Sequence, residues 1–215
     1  MIYIAKGQEP KVLTEYKKKS NAYFDGCPKD AIRESLLAEQ GCLCAYCMRR
    51  INKRNMRIEH WYPESRLSEY EKLDYSNMLG VCYGHLEGTQ GKDDTCDAQK
   101  GNQCIKVNPL DKTTLNDIEY RSATGEISSC DKEIDNDLQN TLNLNSKKHF
   151  LPENRKVKLD SVIRLLKLRF GDKAWTADQL QRFLEQYSKN NINGEKPEYL
   201  GIINWYINKQ IKRRK

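Results

Sequence analysis

The chain has 215 residues, of which 38% are hydrophobic and 31% charged, and a mean hydropathy of -0.86; it can bury one core or two small ones, with a thin apolar supply. No apolar run approaches the ~20 residues of a membrane span, and the opening Met1-Ile2-Tyr3-Ile4-Ala5-Lys6-Gly7 lacks the long apolar region of a signal peptide, which argues for the cytoplasm and against a membrane. A formal charge of +7 permits a polyanionic partner such as nucleic acid without requiring one.

Met1 to Lys6 reads as a short strand, followed by a loose amphipathic helix over Val12 to Phe24. Pro28 opens a second helix with apolar Ala31, Ile32, Leu36 and Leu37, and Gly41 stops it. After the Cys44-Cys47 turn, Met48 to Ile51 and Met56 to Trp61 read as strands of a hairpin around Asn52-Lys53-Arg54-Asn55. Ser65 to Asp74 is irregular or a single helical turn, Tyr83 to Thr95 is a polar surface loop, and Cys96 to Gly101 supplies one or two helical turns. Asn108 to Asp111 closes this unit. Farther on, Ile118 to Arg121 and Glu126 to Ser128 form a hairpin around Thr124-Gly125, and Asp131 to Leu142 is helical. Val157 to Phe170 is the strongest helix, with Val157, Leu159, Val162, Ile163, Leu165, Leu166 and Leu168 assigned to the core. Thr176 N-caps a helix to Tyr187, and Tyr199 to Ile211 forms the last one before the basic Lys212-Arg213-Arg214-Lys215. The boundaries divide the chain into residues 1–110 and a mainly helical 111–215.

Eight cysteines without a secretion signal read as metal ligands or buried thiols sooner than as disulfides. Cys44 and Cys47, two residues apart, can converge on one tetrahedral zinc ion, and Cys82 and Cys96 are the chosen second pair. That choice requires the loop from Tyr83 to Thr95 to return to the metal. Cys42, Cys104 and His85 are rival ligands, Cys27 and Cys130 are left over, and a thiol redox pair is the competing reading of Cys44 and Cys47.

Chemistry gathers around Glu59-His60-Trp61-Tyr62-Pro63. Phosphodiester hydrolysis needs a base for water and a cation to stabilise the phosphate, and an imidazole with an ordinary pKa of about 6.5 suits the base. Glu59 and Asp97 are hard oxygen ligands for Mg²⁺ or Mn²⁺. Successive side chains on a strand point to opposite faces, so joint service by Glu59 and His60 requires the strand to end or bulge there, which Pro63 would permit. The plainer readings are a structural His60, an Asp97 that only complements a helix N-terminus, and rim packing for Trp61 and Tyr62.

In order, Cys44-x-x-Cys47, Glu59-His60-x-x-Pro63, Asn77 with Cys82 five residues on, and Cys96-Asp97-x-x-Lys100 resemble a zinc-containing HNH endonuclease of the ββα-metal fold. The resemblance implies an α+β fold: a zinc-stabilised ββα-metal core with N-terminal helices in residues 1–110, then the helical C-terminal region. It implies His60 as general base, Glu59 and Asp97 on the catalytic cation, Asn77 bracing the loop between strands, and Lys100 on phosphate. Glu59 stands where Asp is usual and Asp97 where Asn or His is usual, both keeping oxygen ligation, and the loop before Cys96 is long. Through Ile58-Glu59-His60-Trp61, Tyr75 to Cys82 and Cys96 to Asn102, most of the chain is similar to the PtuB nuclease subunits of Septu and retron anti-phage systems. That likeness implies cleavage of nucleic acid, DNA in the first instance, and a PtuA-like ATPase partner docked on the C-terminal helices. The alternative is a zinc-stabilised module that binds nucleic acid or protein without chemistry.

Overall fold

The computed structural model describes residues 1–88, 91–172 and 174–214, which form a mixed α and β structure with two small antiparallel sheets. Pro10 and Pro28 directly precede the first two helices, α1 (Lys11–Lys17) and α2 (Lys29–Gln40). The sequence reading carries α1 on to Phe24; it stops at Lys17, where like charges Lys17 to Lys19 and the weak helix formers Ser20 and Asn21 follow one another. In α2, Ile32, Leu36 and Gln40 recur every four residues on the buried face, and Gly41 ends it with φ +62 in the left-handed region.

Strand β1 (Met56–His60) pairs with β2 (Met78–Cys82), with Ile58 opposite Gly80 and His60 opposite Met78. This corrects the hairpin expected with Met48 to Ile51, which contributes only a Leu43–Arg50 bridge. The reason is burial: all five residues of β2 are inside, whereas the chain around Cys44 to Cys47 is bent into a tight turn. Nor is Met1 to Lys6 a strand, although Ile4 is buried and its N–H donates to the Pro109 carbonyl at 2.8 Å. Three single helical turns, Glu64–Arg66, Glu71–Leu73 and Tyr75–Asn77, fill the connection between β1 and β2.

Short α3 (Cys96–Lys100) follows the loop, and α4 (Lys112–Leu115) is capped by the Asp111 carboxylate. The hairpin of β3 (Ile118–Tyr120) and β4 (Ile127–Ser129) forms within a residue of its expected bounds. Next, α5 (Lys132–Asn136) runs into a wide π turn at Asp137–Thr141, where the regular helix expected to Leu142 breaks down. Asp137 is drawn inward there and accepts the Lys106 and Val107 N–H groups at 2.6 and 3.0 Å. Three helices complete the chain: α6 (Leu151–Phe170), α7 (Ala177–Tyr187) with Thr176 and Gln179 in a reciprocal capping box, and α8 (Leu200–Lys212). Leu159, Val162 and Leu166 of α6 are buried, but Val157, Leu165 and Leu168 stand on the open side of the helix, Leu168 at 84% exposure, so the core assignment of those three is corrected. Lys215 of the basic tail lies outside the described residues.

One cluster of buried side chains runs from Met1 to Ile211, so position 110 does not separate two cores. The Lys196 N–H donates to the Gly41 carbonyl at 2.9 Å and the Tyr199 N–H to that of Met48 at 3.1 Å, fastening the chain before α8 to the end of α2 and the cysteine turn. Among the described residues no helix is long and apolar enough to cross a membrane. Gln40 joins α2 to β2: its amide donates to the Leu43 and Gly80 carbonyls and accepts from the Gly80 N–H, each at 2.7 Å. Gln40→Ala, which leaves the buried Leu43 carbonyl and Gly80 N–H without this partner while the Gly80 carbonyl keeps the Ala45 N–H, is expected to lower stability by about 3 kcal/mol in urea denaturation.

Candidate functional site

Four of the eight cysteines meet in space. The Sγ atoms of Cys44, Cys47, Cys82 and Cys96 all lie within 4.8 Å of one another, and all four residues are buried. The turn holding the first two is closed by the Met48 N–H donating to the Cys44 carbonyl at 3.0 Å, and Met48 adopts φ +65 to make it. An N–H bond from Ala45 to the Gly80 carbonyl, 3.0 Å, sets this turn beside β2, which ends at Cys82.

Cys96 returns because the loop closes on itself at its base, where the Thr95 N–H donates to the Gly84 carbonyl at 2.8 Å. Gly84 has φ +69, and a Cβ there would lie 1.9 Å from the Thr95 carbonyl oxygen, so only glycine permits the closure. Thr89 and Gln90 lie outside the described residues.

The donor set fits a metal such as zinc. A tetrahedral ion with Zn–S bonds of about 2.3 Å separates its sulfurs by about 3.8 Å, and the Cys47–Cys82 and Cys44–Cys96 separations are 3.7 and 3.9 Å. Disulfide bonds, at about 2.05 Å, are excluded by the same distances. The rivals stand elsewhere: Cys104 is exposed, Cys42 is half-buried outside the cluster, and the imidazole Nδ1 of His85 is 2.6 Å from Asp94 Oδ1.

Beside this centre, Glu59 from β1 turns toward α3. Its carboxyl lies 2.7 Å from the Lys100 ammonium and accepts from the Tyr46 hydroxyl at 3.3 Å, with the Asp97 carboxylate close by. Burial, reinforced by the neighbouring Asp97 carboxylate and opposed by Lys100, pushes the Glu59 carboxyl up to about 8. Asp97 sits at the mouth, 19% exposed, and pairs with Arg57 at 3.3 Å; Arg57 is itself half-exposed against the Tyr83 ring. Arg57 was not among the sequence-derived candidates. Its only signal was position, two residues before Glu59 and so on the same strand face.

Lys100 is 1% exposed and also donates to the His60 carbonyl at 3.1 Å. It therefore faces inward as a counter-ion to Glu59 and not outward to phosphate. Asn77 closes two bonds with the backbone of Tyr62, its amide donating to the carbonyl at 3.0 Å and its oxygen accepting the N–H at 2.8 Å, which is a bracing geometry.

His60 departs most from expectation. Strand pairing runs through it without a bulge and continues as the Trp61 N–H donates to the Asn77 carbonyl, 3.0 Å. Regular alternation then sends His60 to the face opposite Glu59, so the break expected beside Glu59 does not occur. Its ring packs edge-on against Phe24, centroids 4.6 Å apart, and its Nε2 is 2.8 Å from the Lys72 carbonyl. A carbonyl only accepts, so Nε2 carries the proton and Nδ1 keeps its lone pair, 3.9 Å from the Glu64 carboxylate. Burial lowers the His60 pKa, which keeps the ring neutral.

No family model matches the chain, and no curated protein is significantly similar to it.

Two measurements follow from this geometry. Cys47→Ser is expected to lose the metal that elemental analysis finds in the wild type and to unfold at least ~10 °C earlier. For Glu59 the folded-state pKa, about 8, lies above its ordinary 4.5, so the native state binds this proton more tightly than the unfolded chain. The resulting stability is complete below pH 4.5 and is lost as pH rises to about 8. Without added Mg²⁺ or Mn²⁺, urea denaturation across that window should show the decline, and Glu59→Gln should flatten it.

Proposed function

We propose that the chain is a metal-dependent endonuclease of the HNH, ββα-metal type, cutting phosphodiester bonds in nucleic acid, with DNA as the first substrate to test. The observation that carries this reading is the approach of the Glu59 and Asp97 carboxyls, drawn from a strand and a short helix to one partly open site beside four clustered cysteines. Two hard oxygen donors so placed are a suitable set for a Mg²⁺ or Mn²⁺ ion. When bound, such an ion supplies Lewis-acid stabilisation of the charge that builds on phosphate and leaving oxygen. Arg57 at the mouth attracts the phosphate, and Lys100 holds Glu59 in position from below.

His60 is the base in this reading. Its neutral ring, with Nε2–H fixed on the Lys72 carbonyl, leaves Nδ1 to take a proton from water. Glu59 and His60 are adjacent but on opposite faces of β1, and the imidazole is only 3% exposed, so in this reading a phosphodiester reaches both only across the end of the strand. A role in anti-phage defence with a PtuA-like ATPase rests on the sequence resemblance, and exposed Val157, Leu165 and Leu168 of α6 offer that partner an apolar face.

One observation favours the second reading, a zinc-stabilised binding module without chemistry: the Lys100 ammonium already stands 2.7 Å from the Glu59 carboxyl, where a cation would bind. Cleavage assays decide between them. Purified protein, alone and with the ATPase, is expected to nick DNA only with Mg²⁺ or Mn²⁺, and His60→Ala and Asp97→Ala should each reduce the rate by roughly 10²- to 10⁴-fold. Cleavage that is absent under all these conditions, or equal in both variants, leaves the binding module.

A further inference from the structure

Directly beyond His60 the surface opens into a cavity of about 460 Å³, framed by Trp61, Tyr62, Leu67, Asp74, Asn77 and Asn108. It lies outside the carboxyl and cysteine sites, and its walls are chemically sorted. Tyr62 is 41% exposed and is held through its backbone by Asn77, so its ring is carried on a fixed loop. Trp61 is anchored by its indole N–H to the Val107 carbonyl at 2.9 Å, and Leu67 adds an aliphatic side. The polar groups are biased toward acceptance: Asp74 presents a carboxylate fixed by Ser76, its Oδ1 accepting from the N–H and its Oδ2 from the hydroxyl, and the Glu71 carboxylate also borders the cavity.

Aromatic and aliphatic walls attract a flat, uncharged ring, while the carboxylates repel phosphate and accept hydrogen bonds from amino groups. A nucleobase has that chemistry. The cavity adjoins the end of β1, since Trp61 and Tyr62 directly follow His60 in the chain. We infer that this cavity is a nucleobase subsite, taking the unpaired base next to the scissile phosphate by stacking on Tyr62 and favouring bases with an exocyclic amine over thymine or uracil. The inference rests on the nuclease reading, to which it adds a preference for single-stranded or locally opened substrate, where no base pair has to be broken.

The test separates the two. His60→Ala protein, which binds without cutting, is titrated with oligothymidylate carrying one central 2-aminopurine, an amino-bearing base whose fluorescence is quenched by stacking. The expected result is quenching on binding, tighter binding than to plain oligothymidylate, and roughly 10-fold weaker binding with loss of quenching when Tyr62→Ala is added. Asp74→Asn, which retains an oxygen for the Ser76 turn, should erase the preference for 2-aminopurine while leaving quenching in place. Binding without quenching, or quenching indifferent to Tyr62→Ala, overturns the subsite and leaves the nuclease reading standing, since cleavage by the wild type is read separately. Absence of binding to any strand, together with absence of cleavage, overturns both.

Discussion

Convergence of four sulfurs is the constraint on which the rest of the molecule depends. Cys44 and Cys47 come from the turn after α2, Cys82 from the end of β2 and Cys96 from the start of α3, so a single metal ion held by them would fix three segments that are separate in sequence. The chain offers little else to hold them, because the two-stranded sheet has only five residues per strand and α3 only five in all. A two-stranded sheet of this size is marginal by itself. Metal coordination can supply the missing free energy, and the backbone geometry at Met48, Gly84 and Cys96, all with positive φ, is the local conformational cost of bringing the thiols together.

That framework delivers the carboxyl pair. With β2 and α3 tied to the same centre, the inner face of β1 lies against the first turn of α3, and Glu59 meets Asp97 and Lys100 there. A buried Lys–Glu contact contributes little net stability against well-packed apolar side chains, because desolvation offsets most of what the contact gains. Its presence at 1% and 8% side-chain exposure is better explained by what it positions: Lys100 contacts the Glu59 carboxylate and the His60 carbonyl at once, and so fixes the end of β1. On the other face Phe24 and the Lys72 carbonyl hold the imidazole. The strand end is thus gripped from both sides.

The C-terminal half is not an appendage. Lys196 and Tyr199 bond back to Gly41 and Met48, and Cys96 donates its N–H to the Leu142 carbonyl at 2.9 Å, so the helical region buttresses the cysteine turn and α3. Asp137 performs a similar task at the π turn, capturing two backbone N–H groups of the segment that leaves α3. What remains open on α6 is the stripe of Val157, Leu165 and Leu168, whose helical spacing alone cannot distinguish a core face from a free one.

Much of this was legible in the residues themselves. Proline before α2 and glycine after it, the Thr176 cap, the β3–β4 hairpin and the Cys44-x-x-Cys47 pair are local signals, set by dihedral preference, capping and thiol spacing, whereas the return of Cys82 and Cys96 to that pair is long-range. Tertiary structure decided the strand partner of β1, because the choice between Met48 to Ile51 and Met78 to Cys82 depends on which segment can be buried, and alternation patterns in short apolar runs do not record that. It also decided the faces. Sequence places Glu59 and His60 side by side, but only an unbroken ladder sends one toward α3 and the other toward Phe24, and only the packing of α3 turns Lys100 inward as a counter-ion. Residue types determined which chemistry was available; the pairing of strands and the burial of charge, which are long-range, determined where each group points.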